Sequence, residues 1–285
     1  MPDFPIVDSH VHLWDPTLHR LEWLDGNDLL NHPFGIPEYD AATAALTVEA
    51  MVYLEVGIAD SYKLIEARHI ADLATREPRL KAIVASAPLE FGEQAREFLK
   101  ALVATDPWRI KGVRRLIQGE ADLRFCVSDR FVAGVQMLPE FGLSFDICIV
   151  HPQMPSAIEL VRRCPETSFI LDHIGKPGIR AGTLDPWRAQ IDELASLPNV
   201  VCKVSGVTTE ANHTDWTIDG IAPYVHHVLG AFGEDRVIYG GDWPVVLMGA
   251  SYQKWVDTLD ALTTHLSPTA KRKLWAENAK RFYRI

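Results

Sequence analysis

The sequence predicts one α/β domain over residues 1–285, a (β/α)8 TIM barrel. Three observations carry that expectation. Eight short apolar runs rich in β-branched residues recur along the chain, helical patterns follow all but the first, and no low-complexity tract, charge block or Pro/Gly/Ser linker divides them. Strand–helix alternation of this kind marks a parallel sheet, and roughly 250 residues is the usual length of such a barrel.

The runs are, in order, Ile6–Leu13, Ala50–Val56, Leu80–Ala87, Ile110–Ile117, Ser144–Val150, Ser168–Asp172, Val200–Val204 and Val237–Gly240. Several are continuously apolar, which suits strands covered on both faces. Helices are expected at Ser61–Arg76, Phe91–Ala104, Arg130–Phe141, Pro155–Cys164, Pro186–Ser196, Ile218–Phe232 and Tyr252–Leu266. The first has Leu64, Ile65, Ile70 and Leu73 at helical spacing, with Pro78 just past its end. Between the first two strands, Trp14–Asp40 holds Pro16, Gly26, Pro33, Gly35 and Pro37. It reads as a long loop, of the kind that forms lids and substrate-binding segments.

Lys and Arg number 28 against 38 Asp and Glu, a net charge of −10. An acidic surface repels polyanions, so neither nucleic acid nor an anionic membrane is an expected partner. Met1-Pro2-Asp3-Phe4-Pro5 shows no signal-peptide pattern, and no apolar stretch nears the roughly 18 residues of a membrane span. Cys126, Cys148, Cys164 and Cys202 form no CxxC pair, so reduced thiols in a cytoplasmic protein are expected rather than a metal knuckle or redox site. The sequence leaves a homo-oligomer open.

In a barrel of this class the site lies at the C-terminal ends of the strands. Strand one closes with Asp8-Ser9-His10-Val11-His12, and two residues of spacing place His10 and His12 on one strand face. Strand five ends at His151, strand six at Asp172-His173, and strand eight at Gly240-Gly241-Asp242-Trp243-Pro244. Taken singly, each is an ordinary hydrogen-bonded or turn residue; together, four strand ends deliver a His or Asp directly after an apolar run.

This pattern resembles the amidohydrolase superfamily, with HxH after strand one, His after strands five and six, and Asp after strand eight. Ile6–Trp14, Gly112-Val113-Arg114, Leu171–Pro177, Gly240–Pro244 and Trp275–Tyr283 are similar to its amidohydrolase-2 branch, and within it to sugar-lactone hydrolases of the L-fuconolactonase and L-rhamnono-lactonase type, alongside the pyrone dicarboxylate lactonase. The resemblance covers essentially the whole chain. One departure matters. Members with two metals carry a carboxylated Lys after strand four, where this chain has Arg114, and Lys111 sits at the wrong end of the strand. A bridged pair of metals is therefore not expected.

The resemblance implies hydrolysis of a sugar (aldono) lactone, a small-molecule substrate. Such a reaction needs an activated water, a positive group on the carbonyl oxygen and a proton for the leaving alkoxide. Asp242 is the candidate general acid/base. His10, His12 and His173 can polarise the carbonyl, or, with Asp242 or His151, hold one divalent metal such as Zn²⁺. No cofactor is strictly required on this reading. Arg114, His151, Glu55, Lys176 and Trp14 are candidate substrate contacts; Trp23 and Trp243 flank the same mouth. Lys203, inside strand seven, needs a buried partner. Two other readings stay open: a zinc-dependent decarboxylase or hydratase of the same branch, and a barrel that binds without catalysis.

Overall fold

In the computed structural model, which describes residues 1–285, each apolar run becomes a strand because both of its faces are covered. The strands are β1 Ile6–Val11, β2 Val48–Leu54, β3 Leu80–Ser86, β4 Ile110–Arg114, β5 Ser144–Ile147, β6 Phe169–Leu171, β7 Val200–Val204 and β8 Val237–Tyr239. They pair in parallel in chain order from β1 to β8. Beyond the end of β8 the chain returns to β1: Asp242 N–H donates to His10 O at 2.9 Å and His12 N–H to Trp243 O at 2.7 Å. The result is a (β/α)8 barrel.

Helices α1 Ile36–Ala42, α2 Lys63–Ala74, α3 Arg96–Thr105, α4 Asp129–Gln136, α5 Met154–Arg163, α6 Trp187–Ala195, α7 Ile218–Phe232 and α8 Tyr252–Leu262 are followed by α9 Pro268–Arg272 and α10 Asn278–Tyr283. One cluster of 76 buried residues fills the layer between helices and sheet. Inside, the barrel's lower end is plugged from α10: Tyr283 clusters with Val52, Leu54, Ala82 and Val84, and its hydroxyl donates to Asp146 of β5 at 3.0 Å. No helix is long and apolar enough to cross a membrane. All four cysteines are buried and unpaired.

The structure differs from the sequence reading at particular elements. Within the expected loop 14–40, Gly35 and Pro37 start a helix rather than mark a turn: Gly35 is the N-cap of α1, Pro37 sits in its first turn, and Glu38 accepts from Gly35 N–H at 2.8 Å. The expected helix from Phe91 begins only at Arg96, because Gly92 at φ 58° breaks the preceding 3-10 turns. Strand five ends three residues early, where Val150 N–H turns to Gln153 Oε1.

Candidate active site

In a regular strand Asp8, His10 and His12 would share one face. The β1–β2 register slips between Asp8 and Val11, and the three separate. Asp8 turns outward and accepts from Tyr252 OH (2.6 Å), Gly241 N–H (2.7 Å) and Tyr39 OH (3.1 Å). A Cβ on Gly241 would stand 2.4 Å from Asp8 Oδ2, so only glycine lets β8 approach. His10 and His12 face the barrel mouth with their Nε2 atoms 3.2 Å apart.

Asp242 meets them from the other side of the seam. Its Oδ1 lies 3.7 Å from His10 Nε2 and 3.8 Å from His12 Nε2, and its Oδ2 lies 3.9 Å from His173 Nδ1. Asp242 at φ 58° and His173 at φ 53° both hold the left-handed conformation, which costs a non-glycine residue about 1–3 kcal/mol and persists where surroundings impose it. Ser205 Oγ fixes the His173 ring at 3.0 Å.

Behind this group runs a buried charge network. Arg114 donates to Glu55 Oε1 (2.7 Å), Glu55 O (2.6 Å), Asp172 Oδ2 (3.2 Å) and His10 Nε2 (3.3 Å). Asp172 also stands 3.5 Å from His10 Nδ1 and 2.9 Å from Lys203 Nζ. Lys203 in turn donates to Asp146 at 3.0 Å, and Asp146 accepts from Tyr283. Burial alone would raise Asp172, but Lys203, His10 and Arg114 hold it well below the usual carboxylate range. Asp146 has lost more to burial than Lys203 returns, and is pushed up to about 6.

Burial governs the site groups as well. It lowers His12 to about 3, aided by Arg114, and holds His10 and His173 well below the ordinary imidazole range. All three rings are therefore neutral at pH 7. Asp242 is pushed up to about 7 by burial, against the pull of Lys176 and Arg114.

These groups sit at the base of a cavity of about 320 Å³. His12, His173, Asp242 and Arg114 line it, and Trp23, Gln118 and Lys176 form part of its walls. His10 and Glu55 lie behind the lining, 0% and 1% exposed, and act on the cavity through His12 and Arg114. Two sequence candidates stand elsewhere. His151 opens a 3-10 turn beyond the early end of β5, and its Nε2 stands where a side chain on Gly178 would press, outside the cavity lining. Trp14 is buried in the β1–α1 loop, where its indole N–H donates to Leu30 O and His32 O; the loop reaches the cavity through Trp23 instead. Trp243 packs on Phe34 and Tyr252, below the lining. Sequence reasoning assigned no role to Asp172, Gln118, Ser205, Asp146 or Tyr283. Asp172 stood beside His173 in the same motif; Tyr283 carried no local signal.

Part of the site suits a divalent metal. His12 Nδ1 donates to Leu54 O at 2.9 Å and His10 Nδ1 faces Asp172, so both rings turn an Nε2 lone pair toward the other and toward Asp242. His10 Nε2 has only a long contact from Arg114 at 3.3 Å, and two lone pairs 3.2 Å apart repel, whereas Zn²⁺ at about 2.0–2.1 Å from each nitrogen would span that gap. His10, His12 and Asp242 form one such donor group; His173 falls in a second, with His10 and Asp172.

Comparisons with known proteins point the same way as the strand-end pattern. The chain is 30% identical to an L-fucono-1,5-lactonase of Burkholderia multivorans, with 98% of this chain and 96% of that one covered. It is 28% identical to an L-fucono-1,5-lactonase of Burkholderia ambifaria, over 98% and 95% of the two chains. A crystal structure of an amidohydrolase from Burkholderia multivorans with bound Zn superposes with a TM-score of 0.88 at 28% identity, over 99% and 100% of the chains. Residues 7–285 match the amidohydrolase family, and with the barrel and its strand-end donors in place the chain belongs to that family.

Proposed function

We propose that this protein is a hydrolase that opens a sugar (aldono) lactone such as L-fuconolactone to its sugar acid, with Asp242 as general acid/base. The observation that carries the reading is Asp242 itself, a carboxyl pushed up to about 7 at the base of a cavity among neutral imidazoles. A base poised near working pH takes and returns a proton with little waste in either direction. The similarity to two L-fucono-1,5-lactonases supports the substrate class.

In this mechanism the ionised Asp242 takes a proton from water as its oxygen attacks the lactone carbonyl carbon. The carbonyl oxygen becomes an oxyanion stabilised by Arg114 and by the Nε2–H of neutral His173, whose Nδ1 is engaged by Ser205. Collapse breaks the ring C–O bond, and Asp242 returns its proton to the leaving oxygen, giving one hydroxy acid. Lys176 and Gln118, which hydrogen-bond each other across the wall, are placed to hold substrate hydroxyls. His10, His12 and Asp242 would hold a divalent metal, which when bound supplies Lewis acidity at the carbonyl. An ester carbonyl is reactive enough for Asp242 and its donors to suffice, so the metal is an option rather than a requirement.

The test is an indicator assay of acid release over aldonolactone stereoisomers, before and after complete chelation. Turnover of a 6-deoxyaldonolactone that persists without metal is expected. Turnover of no lactone, or a decarboxylation that vanishes when metal is removed, would replace this reading with the zinc-dependent alternative.

A further inference from the structure

Asp8 is 0% exposed beside the seam where β8 returns to β1, and it does not line the reaction cavity. Nothing in the proposed hydrolysis uses it. Yet four donors meet its carboxyl. Oδ1 accepts from Gly241 N–H at 2.7 Å and from His10 N–H at 3.1 Å. Oδ2 accepts from Tyr252 OH at 2.6 Å and from Tyr39 OH at 3.1 Å. A carboxyl is costly to bury, and two partners on each oxygen offset that cost.

The two oxygens have different tasks. Oδ1 bonds the backbone of both seam strands through one atom, His10 of β1 and Gly241 just past β8. Oδ2 is anchored outside the sheet, because Tyr252 opens α8 and Tyr39 lies in α1. Turning Oδ1 off the two amides would break both tyrosine bonds. The peptides around Asp242 are held one after another. Gly240 O accepts from the Trp255 indole N–H at 3.0 Å, Gly241 N–H goes to Asp8, Asp242 N–H goes to His10 O at 2.9 Å, and Trp243 O accepts from His12 N–H at 2.7 Å. Two glycines permit this approach: a Cβ on Gly240 would stand 2.8 Å from His10 Cβ, and one on Gly241 2.4 Å from Asp8 Oδ2. Asp242 itself is at φ 58°, a conformation that persists only where its neighbours impose it.

We propose that Asp8 is a positioning residue for lactone hydrolysis: by accepting from His10 and Gly241 together, it sets where the Asp242 carboxyl stands relative to the His10 and His12 rings. It touches neither substrate nor reacting atoms and acts only through the backbone of the seam. The inference rests on the reading of Asp242 as general acid/base. A misplacement of about 1 Å at such a group costs about 10²-fold in rate, so the tie is worth a measurable share of turnover.

Three variants of the full chain separate positioning from mere stability. Asp8→Ala removes the tie, and kcat on the selected lactone should fall about 10–100-fold with KM within about threefold. Asp8→Asn is the rescue. Its amide oxygen accepts from both backbone N–H groups, its NH₂ donates to the tyrosine hydroxyls, and Tyr252 turns its own proton to Tyr239 OH, 2.9 Å away. It should keep kcat within about threefold of the parent. Asn278→Ala is the stability control: its side chain donates to Val237 O and Glu234 O, both at 2.8 Å, at the far end of β8. Losing those bonds weakens the strand without touching the seam, so kcat should not change.

Zinc titration of the chelated proteins reads the same geometry without turnover, so it tests Asp8 even if no lactone is hydrolysed. Asp8→Ala should bind zinc about tenfold more weakly or worse, and Asp8→Asn as the parent does. If Asp8→Ala does not fold, Tyr252→Phe decides: it removes the 2.6 Å bond to Oδ2 and should lower kcat and zinc affinity by about threefold or more. Parent-like kcat and zinc affinity in the deciding variant overturn the proposal. So does an Asp8→Asn or an Asn278→Ala as impaired as Asp8→Ala, or a rise in KM with kcat intact.

Discussion

The Asp242 N–H donates to His10 O at 2.9 Å across the line where β8 returns to β1. With His12 N–H donating to Trp243 O at 2.7 Å, this bond closes the barrel and fixes the distance between two residues at opposite ends of the sequence. The same contact holds Asp242 at φ 58°, which turns its carboxyl toward His10, His12 and His173.

Asp242→Asn keeps that backbone bond, and Asn tolerates the left-handed conformation as readily as Asp. The fold should survive while proton transfer is lost. The expected result is a fall in kcat of about 10²–10⁴-fold with KM within a few-fold, from steady-state kinetics on the lactone that the screen selects. A KM effect without a kcat effect would place Asp242 in binding instead.

The pH profile follows from the direction of the Asp242 shift. As a base it works ionised, and burial pushes it up to about 7, so kcat/KM of the metal-free enzyme should rise through pH 7 and level off above it. A bound cation favours the carboxylate, so zinc should move that rise to lower pH. Profiles from pH 5 to 9, with and without metal, measure both.

Lys203 is 0% exposed between Asp146 and Asp172. Lys203→Met leaves two buried carboxyls without their cation and should cost about 3–5 kcal/mol in denaturant unfolding. Tyr283→Phe removes one neutral donor from Asp146 and should cost about 1 kcal/mol. A loss in Tyr283→Phe as large as in Lys203→Met would mean that Asp146 depends on the Tyr283 hydroxyl as much as on the Lys203 ammonium.

Zinc titration of chelated protein separates the histidines. His12→Ala removes a member of the His10–His12–Asp242 donor group and should weaken binding by ten- to a hundred-fold or more. His173→Ala should weaken it less, because that ring's Nδ1 is held by Ser205 and stands 3.9 Å from Asp242. Equal losses would put His173 among the ligands.

The barrel was legible because burial on both faces writes itself into composition: β7 Val200–Val204 and α7 Ile218–Phe232 have the bounds that their apolar pattern predicts. Strand ends were less so. His151 follows an apolar run as His173 does, yet β5 stops at Ile147 and the intervening residues turn it aside. Gly35 and Pro37 read as loop residues because the same types that end regular structure also start helices, and only the Glu38 cap distinguishes the cases.

Local sequence determined which residue types stand at the strand ends: His10, His12, His173, Asp242 and Arg114 were all visible there, because a polar residue after an apolar run is a local fact. Tertiary structure decided which of them share a cavity, which stand behind it, and how each is charged. The slip in β1 turns Asp8 away from His10, Arg114 spends most of its donors on Glu55, Asp172 and His10, and Lys203 meets Tyr283 through Asp146. Those are distances between residues far apart in the chain, and the burial that keeps His12 neutral and raises Asp242 exists only once the barrel has closed.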